Sequence, residues 1–161
     1  MEILERVAAM EEIRAGKARY FRSVDTKDWH GLESVFTNDV TFDRTFGGSV
    51  QDPWTGEWSP PLSAEPLLVH GRAEVIAMVQ RAVAGIATVH HGHMPEFTFD
   101  APDSARVVWA MSDELRDRQG RLILAGRGHY HDICRRTDEG WRIAASRLTR
   151  LAIVRGDGVR S

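Results

Sequence analysis

From Thr88 to Val154 the sequence reads as four extended segments, 88–100, 104–117, 122–137 and 141–154, broken at "DAPDS", "DRQG" and "TDEG". Short clusters of Asp, Gly, Pro and Ser between runs rich in Val, Ile and aromatics are turn chemistry between strands. Breaks this short force consecutive strands to fold back on one another as antiparallel neighbours. The chain before them has the other period. Ile3, Val7, Met10, Ile13, Lys17, Tyr20 and Val24 recur every three or four residues, the stripe of an amphipathic helix over about 4–24. Trp29, Leu32 and Phe36 continue that spacing, so a second helix is expected behind Asp25, ending before "TND". "VTFDRTF" reads as a short strand, and "GRAEVIAMVQRAVAG" as a third helix between Gly71 and Gly85, its buried stripe Val75, Met78, Val79 and Ala82. Helices first and hairpin-linked strands afterwards predict an α+β fold, an antiparallel sheet curled over the helices. Residues 46–66 hold four prolines, three glycines and two tryptophans with neither period. A loop of that length is a lid, a binding segment or disordered, and a lid is the functional expectation.

Length and charge narrow the function classes. At 161 residues and 42% hydrophobic, the chain suits one globular domain spanning 1–161, with a core over about 8–154 and a polar tail at 155–161. A net charge of −2, from 21 basic and 23 acidic residues mixed along the sequence, provides no stripe for a phosphate backbone, and no nucleic acid partner is expected. No apolar run approaches the roughly 20 residues that span a bilayer, and "MEILERVAAMEEIR" is charged throughout, unlike a signal peptide. Cys134 is alone, which excludes an internal disulfide and suits a reducing cytoplasmic compartment.

Several polar residues fall where apolar ones are expected. Asp113 lies in the strand 104–117 on the face of Val107, Trp109 and Met111, so it has a buried partner or the strand bulges there and turns it to solvent. Asp25 stands between two helices, where its simplest role is the N-cap of the second. Tyr20 sits on the buried stripe of helix one and needs a partner for its hydroxyl, in the core or in a pocket. Arg150, in the last strand between Leu148 and Ala152, needs an anion from the protein or from a ligand. In "TVHHGHMPEF", alternation places His90 with Thr88, Gly92 and Met94 on one face and His91 with His93 on the other. "HGH" at 91–93 and "HYH" at 129–131 each put two imidazoles on one strand face, and on neighbouring strands the pairs would form a metal site. No nucleophile elbow is present, and "GRG" at 126–128 precedes a strand rather than a helix, so it is no phosphate cradle.

The segments "KARYFRSVDTKDWHGLESVFTNDV", "TVHHGHMPEF", "WAMSDEL" and "GHYHDICRRTDEGWRIAASRLTRL" resemble a SnoaL-like domain of the nuclear transport factor 2 superfamily over about 8–152. The resemblance implies a cone, a curved sheet around helices with a deep apolar pocket, and a homodimer or homotrimer. Its motif pattern is similar to that of bile acid 7α-dehydratases, with scytalone dehydratase and hexachlorocyclohexane dehydrochlorinase further off. It implies a catalytic set of Tyr20, Asp25, His90, Asp113 and Arg150, with no metal or organic cofactor. His90 would be the base, oriented by Asp25 or Asp113, Tyr20 the donor, and Arg150 the attractor of a carboxylate or oxyanion. The implied reaction is a dehydratase-type elimination or isomerisation of a small hydrophobic cyclic substrate such as a steroid, polyketide or aromatic product. A second pocket tyrosine, expected in the strand after helix two, is replaced by Arg44 or a neighbour in "TFDRTF". The same fold also serves as a non-catalytic carrier or assembly subunit, and the two His-x-His pairs themselves leave a metal enzyme as a third reading.

Overall fold

In the computed structural model, which describes residues 1–61 and 63–156, the elements run α1 (Ile3–Thr26), α2 (Trp29–Glu33), β1 (Phe36–Asp43), β2 (Leu68–His70), α3 (Arg72–Ala82), β3 (Ala87–Ala101), β4 (Ser104–Arg116), β5 (Leu122–Thr137) and β6 (Gly140–Arg155). They form an α+β fold with one open, mixed sheet in the order β2-β1-β6-β5-β4-β3. The last four strands are antiparallel neighbours in sequence order, as their short turns require. β1 joins parallel to β6 and antiparallel to β2. No described helix is long and apolar enough to cross a membrane. Most of the polar tail, residues 157–161, lies outside the described residues.

The helices cover one face of the sheet. From α1, Ile13, Tyr20, Phe21 and Val24 are buried, and from α3, Val75, Ile76 and Val79. They meet Val107, Trp109 and Met111 of β4, Tyr130 and Cys134 of β5, and Trp141 and Ile143 of β6 in one apolar cluster. The α1 stripe is buried only in its second half, since Ile3 and Val7 are exposed.

Three boundaries differ from the sequence reading. α1 runs through Asp25 and stops at Lys27, whose left-handed φ of 61° breaks the helix. Asp28 then caps α2, its Oδ1 accepting the Gly31 amide at 2.9 Å, so Asp25 is released from that role. β1 begins at Phe36, four residues before "VTFDRTF", because Phe36 pairs with Ile143 of β6 and is buried there. The stretch 46–66 contains a small hairpin docked on β6: Gln51 bridges Trp58, the Gln51 amide donates to the Arg150 carbonyl at 3.0 Å, and Trp58 packs on Phe46 with ring centroids 4.6 Å apart.

Candidate active site

Asp25 is a carboxylate in the last turn of a long helix, the end where the helix dipole disfavours negative charge. It is held by donors from β3 instead. Its Oδ1 accepts from Thr88 Oγ1 at 2.8 Å and meets His90 Nδ1 at 2.6 Å, and its Oδ2 accepts the His90 backbone amide at 2.9 Å. Burial works against its charge, but the hydrogen bonds from His90 and Thr88 outweigh it and hold the carboxyl below the usual range. An ionised Asp25 makes Nδ1 the protonated nitrogen, which leaves Nε2 a lone pair. Among the described residues Nε2 has no hydrogen-bond partner. Phe21 lies parallel to the imidazole, rings 6.2 Å apart. Gly92 makes that possible: a Cβ there would sit 2.5 Å from the Phe21 ring.

His90 and Asp113 are directly opposed across β3 and β4 and face the same cavity. Asp113 is nevertheless committed elsewhere. Its Oδ1 and Oδ2 accept from Arg150 Nη1 and Nη2 at 2.8 and 2.6 Å, a bidentate pair with both side chains buried. Arg150 Nε donates to the Gly47 carbonyl at 2.6 Å. Burial alone would lower the Arg150 pKa, yet the Asp113 carboxylate raises it above the ordinary value. β4 runs through Asp113 in unbroken register with β5, so the buried-partner alternative holds and the bulge does not. Arg150 finds its anion in the protein, the first of the two sources the sequence leaves open. Gly126 provides the space, since a Cβ there would collide with Arg150 Nη1 and lie 2.6 Å from Asp113 Oδ1. Gly126→Ala is therefore expected to displace the pair and cost about 1–3 kcal/mol, read from the urea midpoint. An unchanged midpoint would show that the pair has room to move.

Tyr20 and Tyr130 meet edge to face, ring centroids 5.9 Å apart, and both line the cavity. Burial pushes the Tyr20 hydroxyl well above its ordinary pKa, with a hydrogen bond from Tyr130 working the other way and Asp132, Asp113 and Asp25 adding to the rise. Burial does the same to Tyr130. Both phenols are thus protonated donors at neutral pH. The cavity has a volume of about 240 Å³, is open to solvent on one side, and is lined further by Val24, Phe42, Met78, Val79, Leu115 and Leu148. All of the five sequence candidates except Asp25 line it, and Asp25 reaches it through His90.

Sequence reasoning missed a second buried ion pair. Lys17 Nζ donates to Asp132 Oδ2 at 2.8 Å, with Ser146 Oγ donating to Oδ1 at 2.7 Å, and the ammonium lies 3.8 Å from the centroid of the Tyr130 ring. Burial lowers the Lys17 pKa and Asp132 opposes that. The signal was present: Lys17 sits on a helix stripe of Ile13, Tyr20 and Val24, and Asp132 alternates with Tyr130 and Cys134 on the inward face of β5. Tyr130 itself follows from the same alternation.

The remaining histidines fall outside the cavity. His91 and His93 lie on the outer face of β3, and His129 and His131 on the outer face of β5. β4 runs between the two strands, with His93 opposite Ala110 and Ala110 opposite His129, so the pairs stand about 10 Å apart rather than on neighbouring strands. Among the described residues no group of three His, Cys, Asp or Glu side chains is placed to hold a metal ion. Met94 does not share the His90 face as alternation predicts: the register shifts between His93 and Glu96, and Met94 turns out at a φ of 33°, 89% exposed.

A helix-covered open sheet thus sets an aspartate-oriented histidine and two phenols around one small cavity. The chain belongs to the SnoaL-like domain family, whose pattern matches residues 5–147. It is 23% identical over 150 residues to the probable cyclase FGR4 of Gibberella zeae, covering 86% of this chain and 89% of that one. Its fold is similar to that of hexachlorocyclohexane dehydrochlorinase LinA-type3 from Novosphingobium barchaimii, with a TM-score of 0.75, 15% identity and coverage of 99% and 98% of the two chains. It is similar in the same way to a scytalone dehydratase-like protein from Novosphingobium aromaticivorans, with a TM-score of 0.75, 16% identity and coverage of 99% and 95%.

Proposed function

We propose that the protein is a cofactor-independent lyase or isomerase of dehydratase type, with His90 as general base, acting on a small hydrophobic cyclic molecule. The observation that carries this reading is the Asp25–His90 pair, 2.6 Å apart, with the Nε2 of His90 left free beside the cavity. In the elimination, a C–H bond next to a carbonyl breaks and its proton passes to Nε2. The electron pair becomes an enolate, to which Tyr20 donates a hydrogen bond. That pair then forms the new double bond as the hydroxyl on the neighbouring carbon departs, taking the proton back from the imidazolium to leave as water. Every proton in this sequence is carried by a side chain of the chain itself. The similarity to proteins named cyclase, dehydratase and dehydrochlorinase supports chemistry of this kind.

The cavity size narrows the substrate. An apolar cavity of about 150 Å³ accommodates benzene, so about 240 Å³ holds one or two fused rings inside the pocket.

Asp25→Asn tests the reading. With its amide oxygen toward Nδ1, Asn turns its NH₂ against the His90 backbone amide; turned round, it donates to Nδ1 and moves the imidazole proton onto Nε2. Either arrangement misaligns the base, and turnover of cyclic β-hydroxy ketones to conjugated enones, followed by ultraviolet absorbance without added metal, is expected to fall by about 10²–10⁴-fold. A rate within twofold of wild type would sink the role given to Asp25.

A further inference from the structure

One cation at the cavity is not accounted for by the Asp25–His90 and Asp113–Arg150 pairs. Arg44, just past the end of β1, is half-buried and lines the cavity. Its guanidinium donates from Nη1 to the sulfur of Met78 at 3.6 Å, and among the described residues it makes no ion pair with a carboxylate. The carboxylate next to it in sequence, Asp43, turns away: its Oδ1 accepts the Thr45 amide at 2.9 Å and its Oδ2 faces Arg147 Nε at 3.9 Å. A guanidinium presents several N–H donors in a rigid fork, and a thioether is a weak acceptor for one of them. Arg44 therefore keeps an uncompensated charge and unused donors at the wall of an apolar space. Arg150, by contrast, is neutralised by Asp113 and has a third donor engaged by Gly47. The two arginines of one cavity are in opposite electrostatic states.

We propose that Arg44 anchors a carboxylate on the substrate, so that the cavity takes a one- or two-ring carboxylic acid rather than a neutral ring system. The fork of Arg44 matches a carboxylate bidentately, and in a partly dry site such a charge-assisted pair is strong enough to fix which edge of the ring faces His90. The inference rests on reading this cavity as the substrate site, and it names the polar group that reading left open.

The test uses 2-naphthoate and 2-naphthamide, matched in shape and without a leaving group, so binding is read apart from turnover. Wild type at neutral pH and low salt is expected to bind the carboxylate at least about tenfold more tightly than the amide by calorimetry. Arg44→Met, which keeps the volume of the stem, is expected to bind the two equally, and Arg44→Lys to restore part of the preference. Arg44→Gln serves in place of the Met variant if that variant melts early. His90→Ala is expected to retain the preference, because anchoring does not use the base. Equal or absent binding of the carboxylate by wild type overturns the proposal, as does a preference that survives in Arg44→Met or Arg44→Gln. A lost preference alongside a His90-dependent dehydration rate would remove the anchor and leave the catalytic reading standing. A preference that persists in an inactive protein would do the reverse.

Discussion

His90→Ala is expected to lower turnover by about 10²–10⁴-fold while leaving the protein folded, because a positioned general base contributes on that scale. The imidazole is largely buried, but its contacts are with one helix end and one ring, Asp25 and Phe21, rather than with the packed centre of the sheet. Its loss opens a small space beside the cavity. The distinguishing readout is turnover set against stability: the rate should fall while the urea midpoint and the circular dichroism of the variant stay close to wild type. Wild-type turnover by His90→Ala on a substrate the native protein dehydrates would remove the histidine from the mechanism.

The second large effect is on stability. Lys17→Met is expected to cost about 3–5 kcal/mol, because it leaves the Asp132 carboxylate buried with only Ser146 donating to it. Lys17 and Asp132 are both about 2% exposed, so water does not take over the lost contact. Replacing both partners, Lys17→Met with Asp132→Leu, is expected to recover most of that loss, since paired apolar side chains carry no stranded charge. Urea midpoints on the two single variants and the double one form the cycle that separates pairing from burial. A single variant within about 1 kcal/mol of wild type would mean that the site admits water.

What the sequence made legible followed its periodicities. The four C-terminal strands, their antiparallel order and the inward face of Asp113 all come from alternation between turns, and the buried half of α1 comes from its stripe. Tyr20, Asp25, His90, Asp113 and Arg150 were singled out by sequence, through polar side chains on apolar faces and through resemblance, whereas Tyr130 and the Lys17–Asp132 pair were not. The parts that were not legible depend on partners distant in the chain. Asp25 reads as a cap because a helix end always wants one, and only the donors of β3, 63 and 65 residues away, show otherwise. Arg150 needs an anion that the sequence leaves to the protein or to a ligand, and Asp113, 37 residues earlier, is the one that holds it. The three-residue β2 is too short to show a period, and Met94 defeats alternation because a bulge resets it. Arg44 carried no pattern of its own; its importance lies in what its neighbours leave undone.

Lys17, Tyr20, Phe21 and Asp25 all stand on α1, within about two turns of one another. Lys17 is fastened to β5 and Asp25 to β3, about 12 Å further along the same rod at 1.5 Å per residue. A rod pinned at two points along its length neither slides nor spins, since a slip of one residue would swing both side chains through about 100° and undo both attachments together. The buried ion pair thus works as a key in a shaft, setting the angle at which the aspartate meets its histidine. Substitution of Lys17 should consequently disturb the meeting of Asp25 with His90 as well as weaken the fold.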